Sequence, residues 1–114
     1  MTNDRRRGPR DRRRALRAPL VVAVAKRGEG RWHLAQSADI GTDGLGLRYL
    51  AGEVAYLPRT AVDIELQLPG SPSTLRLQAE VVFDRAAGEY RSVGLRFGEL
   101  PPDAQARIDA YVAA

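Results

Sequence analysis

Apolar and polar residues alternate with a period of two along most of this chain, and the alternation ends only near its last dozen residues. Period two is the mark of strands with one buried face, because successive side chains leave a strand on opposite sides. Leu20 to Lys26 reads as the first strand. Gly28-Glu29-Gly30 reads as a tight turn into a second strand from Arg31 to about Ala38, with Trp32 and Leu34 on one face. A loop from Asp39 to Gly44 leads to a third strand, where Leu45, Leu47 and Tyr49 alternate with Gly46 and Arg48. The stretch from Leu50 to Thr60 is irregular and is closed by Pro58.

The fourth strand alternates without a break: Val62, Ile64, Leu66 and Leu68 on one side, Asp63, Glu65 and Gln67 on the other. Pro69-Gly70-Ser71-Pro72 is a turn. The fifth strand is long and predicts Leu75, Leu77, Ala79, Val81 and Phe83 inward, with Arg76, Gln78, Glu80 and Asp84 outward. In the sixth, Val93, Leu95 and Phe97 alternate with Ser92, Gly94 and Arg96. From Pro101 the period changes to 3.6: Leu100, Ala104, Ile108, Tyr111 and Val112 share a face. Proline at the start and Asp103 in the first turn suit a helix N-terminus. The expected fold is all-β: a six-stranded antiparallel barrel with a C-terminal α-helix over one end or side.

The first residues follow no such pattern. Eight arginines fall between Arg5 and Arg17, and the segment holds Gly8-Pro9. Residues 1–12 are expected to be a flexible, disordered basic arm when free, and residues 13–114 a single domain. Residues 1–17 set eight arginines against Asp4 and Asp11, whereas the remainder sets ten Lys and Arg against twelve Asp and Glu. The basicity therefore lies in the arm and the body is slightly acidic. A generic nucleic-acid binder spreads positive charge over a folded face, and there is no strip of aromatic residues for stacking single strands. Nucleic acid is thus a disfavoured partner. With no cysteine, the chain offers neither disulfides nor thiolate metal sites. Its longest apolar run, Leu20 to Ala25, is too short to insert in a membrane, which makes a cytoplasmic location the expectation. His33 stands alone among histidines, and no Ser-His-Asp set, phosphate-binding glycine loop or metal cluster is visible, so an enzyme is not expected.

Two stretches carry candidate chemistry. Arg13 and Arg17 lie four apart beside the first strand. Asp39-Ile40-Gly41-Thr42-Asp43-Gly44 sits one hairpin later. As plain backbone the second is a turn in which Gly41 and Gly44 permit left-handed conformations and Asp39 accepts from nearby N–H groups. As a binding element it presents a carboxylate beside arginines. A carboxylate accepts from the N1–H and N2–H₂ edge of guanine, while arginine donates to guanine O6 and N7 or to phosphate.

Arg12-Arg13-Arg14-Ala15-Leu16-Arg17 resembles the R-x-x-x-R element of PilZ domains, and Asp39 to Gly44 resembles their D/N-x-S-x-x-G element. Val93-Gly94-Leu95-Arg96-Phe97 is similar to the strand that closes the PilZ barrel before its helix. The resemblance spans Arg12 to Val112. It implies a six-stranded barrel that binds cyclic di-GMP as its ligand, with no cofactor or metal. By the same resemblance Arg13 and Arg17 would take guanine faces, guanine edges and phosphates, assisted by Arg12 or Arg14. Asp39 would take a guanine edge, Gly44 would permit the turn, and Gly41 and Thr42 would complete the loop. The arm would order over the ligand and present a surface to a separate, unidentified effector protein. The pattern departs from the family at Gly41, where the family has serine. One lost hydrogen bond of about 0.5–1.5 kcal/mol weakens affinity by roughly tenfold, and Thr42 supplies a hydroxyl only at a shifted position. That departure supports an alternative: a ligand-free PilZ-like module that binds a protein partner. A nucleic-acid binder acting through the arm is a further alternative, marked by strong salt dependence.

Overall fold

The computed structural model describes residues 17–28, 30–50 and 57–114. Among the described residues seven strand segments precede one helix: β1 (Arg17–Pro19), β2 (Ala23–Gly28), β3 (Arg31–Gly41), β4 (Gly44–Leu50), β5 (Ala61–Leu66), β6 (Leu75–Ala87), β7 (Tyr90–Phe97) and α1 (Pro102–Ala113). The strands pair antiparallel in the order β3, β2, β5, β6, β7, β4, and β4 returns to β3. The six-stranded barrel expected from the alternation is therefore closed, and closure leaves none of these six strands as an open sheet edge.

The expected first strand is in fact two pieces. β1 and β2 both pair with β3, at Pro19↔Asp39 and Ala23↔Gln36, so the chain spends one more residue than its partner between those points. Ser37 fills the interruption. Its hydroxyl accepts from Val22 N–H at 2.9 Å and donates to the Leu20 carbonyl at 2.6 Å, and the residue is buried. Without it, these two buried backbone groups would lose a partner. The break leaves β1 outside the closed ring, paired only along the last residues of β3.

Two bulges set which residues face the core. In β3 the register shifts between Ser37 and Asp39, and in β6 between Val81 and Phe83. An extra residue reverses the facing of everything after it. Before the first bulge Ala35 and Ser37 are buried; after it Ile40 is buried and Asp39 faces out. Before the second, Leu75, Leu77, Ala79 and Val81 are buried. After it the expected facing is reversed: Phe83 lies on the outer surface and the Asp84 side chain is fully buried.

Asp84 anchors a polar cluster at one end of the core. Tyr49 Oη donates to its carboxylate at 2.5 Å and Arg91 Nε at 2.6 Å. Buried Lys26 places Nζ 4.6 Å from the centre of the Tyr49 ring. Burial, then the Asp84 carboxylate, holds the Tyr49 phenol well above its usual range. The hydrogen bond to Asp84 likewise raises Arg91. At the other end α1 begins after Pro101 and lays Ala104 and Ile108 on the core. Its Tyr111 hydroxyl donates to the Pro19 carbonyl at 2.7 Å.

Trp32 and Leu34 do share a face, but it is the outer one, 45% and 75% exposed. The inward positions of that strand belong to Ala35 and Ser37, and Trp32 instead meets the Arg27 guanidinium 5.0 Å from its ring centre. Ala51 to Tyr56, within the irregular stretch, and Glu29 of the first turn lie outside the described residues.

Candidate functional site

The two bulges act together on one patch of the outer barrel wall. Asp39 of β3 pairs with Gly46 of β4, Gly46 with Gly94 of β7, and Gly94 with Phe83 of β6. One row across four strands thus runs carboxylate, glycine, glycine, phenyl. The adjacent row pairs Arg17 with Gly41 and Gly44 with Arg96. Glycine inside a strand weakens it and marks a place where another group comes close to the backbone. Here the groups are in view: a Cβ on Gly46 would sit 2.5 Å from Asp39 Oδ1, and one on Gly94 would sit 2.4 Å from the Phe83 ring. Asp39 and Phe83 therefore lie down over a floor without side chains.

Arg17 stands at the near edge. Its Nη2 donates to Asp39 Oδ1 at 2.8 Å and its Nη1 to Asp43 Oδ1 at 3.4 Å. The guanidinium is shared between two carboxylates on the surface rather than extended into solvent. A groove of about 380 Å³ opens over the glycines, bordered by Arg17, Asp39, Arg48, Phe83 and Arg96. That size is in the range of small-molecule sites. A larger open pocket of about 520 Å³ lies between α1 and the β5–β6 turn. There Arg107 is already engaged by Asp103, the Ser71 hydroxyl and the Ser73 carbonyl, which leaves the glycine groove as the better match for an anionic planar ligand.

Among the residues expected at the site, the structure gathers Arg17, Asp39, Gly41, Thr42 and Gly44 around the β3–β4 hairpin. Arg12, Arg13 and Arg14 lie outside the described residues. Two expectations are corrected. Asp39 to Gly44 is not a loop: β3 continues to Gly41, β4 starts at Gly44, and only Thr42 and Asp43 turn. Nor are Gly41 and Gly44 left-handed, since the described glycines with positive φ are Gly30, Gly70 and Gly88. Gly44 is needed for closeness instead, because a Cβ there would meet the Leu95 carbonyl oxygen at 2.2 Å.

Asp43, Phe83 and Arg96 are site residues that the alternation missed. Asp43 was hidden inside the presumed loop, and Phe83 by the bulge at Val82. Gly46 and Gly94 were legible as glycines at outward positions of alternating strands.

The arrangement can do recognition chemistry. A carboxylate and a guanidinium side by side match the hydrogen-bonding edge of guanine, and guanidinium groups bordering an open groove suit phosphate. Among the described residues no group of three or more His, Asp or Glu is placed to hold a metal ion. No described helix is long and apolar enough to cross a membrane.

The structure is a closed antiparallel β-barrel domain with arginine and aspartate set at the β3–β4 hairpin. The PilZ domain family model matches residues 5–114, and the chain belongs to that family. No relative is found among curated protein sequences. Among solved structures, the inhibitor of motility MotI/DgrA of Bacillus subtilis superposes with a TM-score of 0.74 at 19% identity, over 85% of this chain and 47% of that one. The PilZ domain of CeSA from a cellulose-synthesizing bacterium gives 0.63 at 16% identity, over 85% and 94%. PlzA of Borreliella burgdorferi, solved in complex with c-di-GMP, gives 0.58 at 15% identity, over 90% and 47%. At these identities the likeness is one of fold, and the chain spans under half the length of MotI/DgrA and PlzA.

Proposed function

We propose that this protein is a cyclic di-GMP receptor, not an enzyme, acting in the cytoplasm through a separate effector protein. The observation that carries the reading is the Arg17–Asp39 pair, 2.8 Å apart at the edge of a glycine-floored groove. Family membership and the c-di-GMP complex of PlzA support it. Asp39 takes a guanine edge, and Arg17, with Arg12, Arg13 and Arg14 from the arm, takes guanine and phosphate. Gly41 and Thr42 border the ligand and Gly44 holds the hairpin close. Residues 1–12 order over the dinucleotide, so the surface offered to a partner changes with ligand. The name of the MotI/DgrA neighbour, an inhibitor of motility, fits an effector role for the fold.

Calorimetric titration of the folded protein with cyclic di-GMP tests the proposal. The expected outcome is saturable binding, and no heat at high micromolar ligand would sink it. A second reading has its own support. Gly41 replaces the family serine, and Val21, Trp32 and Leu34 expose apolar side chains on the barrel wall. A ligand-free interaction module would leave the titration flat while the protein still captures a partner.

A further inference from the structure

We propose that the ligand groove has a second wall, formed by Phe83 and Arg85, which receives a purine face at the opposite end of the glycine row from Asp39. The inference rests on the receptor reading given above and extends it to residues that no motif covers. Phe83 reaches the outer surface only because of the bulge before it, and its ring lies on Gly94. Arg85, two residues on and on the same face, holds its guanidinium carbon 4.2 Å from the ring centre. The ring is thus pressed between a glycine and a planar cation; Phe83 borders the groove, and Arg85, exposed, lies on the ring just outside that lining.

The distance suits a ligand with two bases. From Asp39 to Phe83 the row crosses three strand spacings, roughly 14 Å at about 4.8 Å each. A purine whose edge meets Asp39 occupies only the near part. The second purine of a cyclic dinucleotide, tethered through its sugar–phosphate ring, lies above Asp39 and Phe83, which cover Gly46 and Gly94, and reaches the Phe83–Arg85 stack. The outer guanidinium face of Arg85, held flat on the Phe83 ring, is the face left open for base stacking, which tolerates any base because every base has a π-face. In this arrangement the carboxylate end selects guanine and the stacking end supplies affinity without selection.

Simple packing is the rival account: a phenyl covering a strand glycine, with Arg85 as a bystander. Three variants separate the two in calorimetric titrations with cyclic di-GMP, each checked by thermal unfolding. Phe83→Leu keeps an apolar cover on Gly94 but removes the aromatic face. Arg85→Lys keeps the charge but removes the plane, and at an exposed side chain it does not threaten the fold. Arg17→Ala reports on the near end. The expected result is that Phe83→Leu and Arg85→Lys each weaken binding about tenfold, and that Arg85→Lys does so with an unchanged melting temperature. If the wild type binds and Arg85→Lys and Phe83→Leu bind equally well, the second wall is overturned and the receptor reading stands. If the folded wild type does not bind, both are overturned. Should Phe83→Leu fail to fold, Arg85→Lys alone decides between these outcomes.

Discussion

Arg17 is one-third exposed and Asp39 nearly half exposed, so their ion pair adds little to stability, about 0–1 kcal/mol. The same pair, covered by a ligand, makes charge-assisted hydrogen bonds of about 1.5–3 kcal/mol. Function and folding therefore separate at this residue. Arg17→Ala and Asp39→Ala are expected to weaken cyclic di-GMP binding by about tenfold or more while the melting temperature stays near that of the wild type. Gly41→Ser restores the family hydroxyl and is expected to tighten binding by about tenfold; an unchanged dissociation constant would move the site away from the hairpin. Asp84 behaves in the opposite way. Its carboxylate is buried against Tyr49 and Arg91, and Asp84→Ala removes the acceptor that both share, which should lower the midpoint of chemical denaturation. Tyr49 adds a pH dependence whose sign is fixed. Its phenol is raised from 10.0, so the unfolded chain releases that proton first. The stabilisation is complete below about pH 10 and is lost as pH rises further. Tyr49→Phe should flatten this alkaline fall in a melting-temperature profile.

At the scale of elements the bulges matter most. The alternation of Val62 to Leu68 and of Leu75 to Val81 was legible because one face of each strand is buried and the other carries charge. The bulges were not legible, since Ala38 and Val82 are unremarkable strand residues and nothing local marks them as extra. The bulge in β6 reversed the facing after Val81, which is why Phe83 was placed in the core; Asp39 was placed in a loop because the strand was ended at Ala38, before the glycines of the hairpin. Trp32 and Leu34 were read as sharing a face, and they do; that face is the outer one, because the inward positions of that segment are filled by Ala35 and Ser37. Ser37 offers a test of the strand break. Ser37→Ala removes both side-chain bonds to Leu20 and Val22, and leaving those buried groups unpaired should cost about 1–3 kcal/mol of unfolding free energy.

For the whole molecule, charge and structure divide. The arginines before residue 17 outnumber the arm's acids, while the body is slightly acidic. Charges beyond a Debye length of about 8 Å at physiological salt contribute attraction rather than geometry. Removing residues 1–11 takes away Arg5, Arg6, Arg7 and Arg10 and leaves Arg12, Arg13, Arg14 and Arg17. The shortened chain should fold as before and still bind, with affinity less sensitive to salt than the full chain's when titrated at low and high ionic strength.

The strand break has a consequence for binding equilibria. β1 carries Arg17 but belongs to no closed ring; three residue pairs, the exposed Arg17 ion pairs with Asp39 and Asp43, and the Tyr111–Pro19 bond hold it. Such a segment opens with far less free energy than the barrel. Its amides should exchange with solvent faster than those of β6 and β7, and ligand should slow them. Apparent affinity then scales with the docked fraction of β1. Tyr111→Phe, on a helix that forms no part of the groove, should lower that fraction and weaken binding without touching the ligand, an effect that hydrogen exchange at Ala18 would register directly.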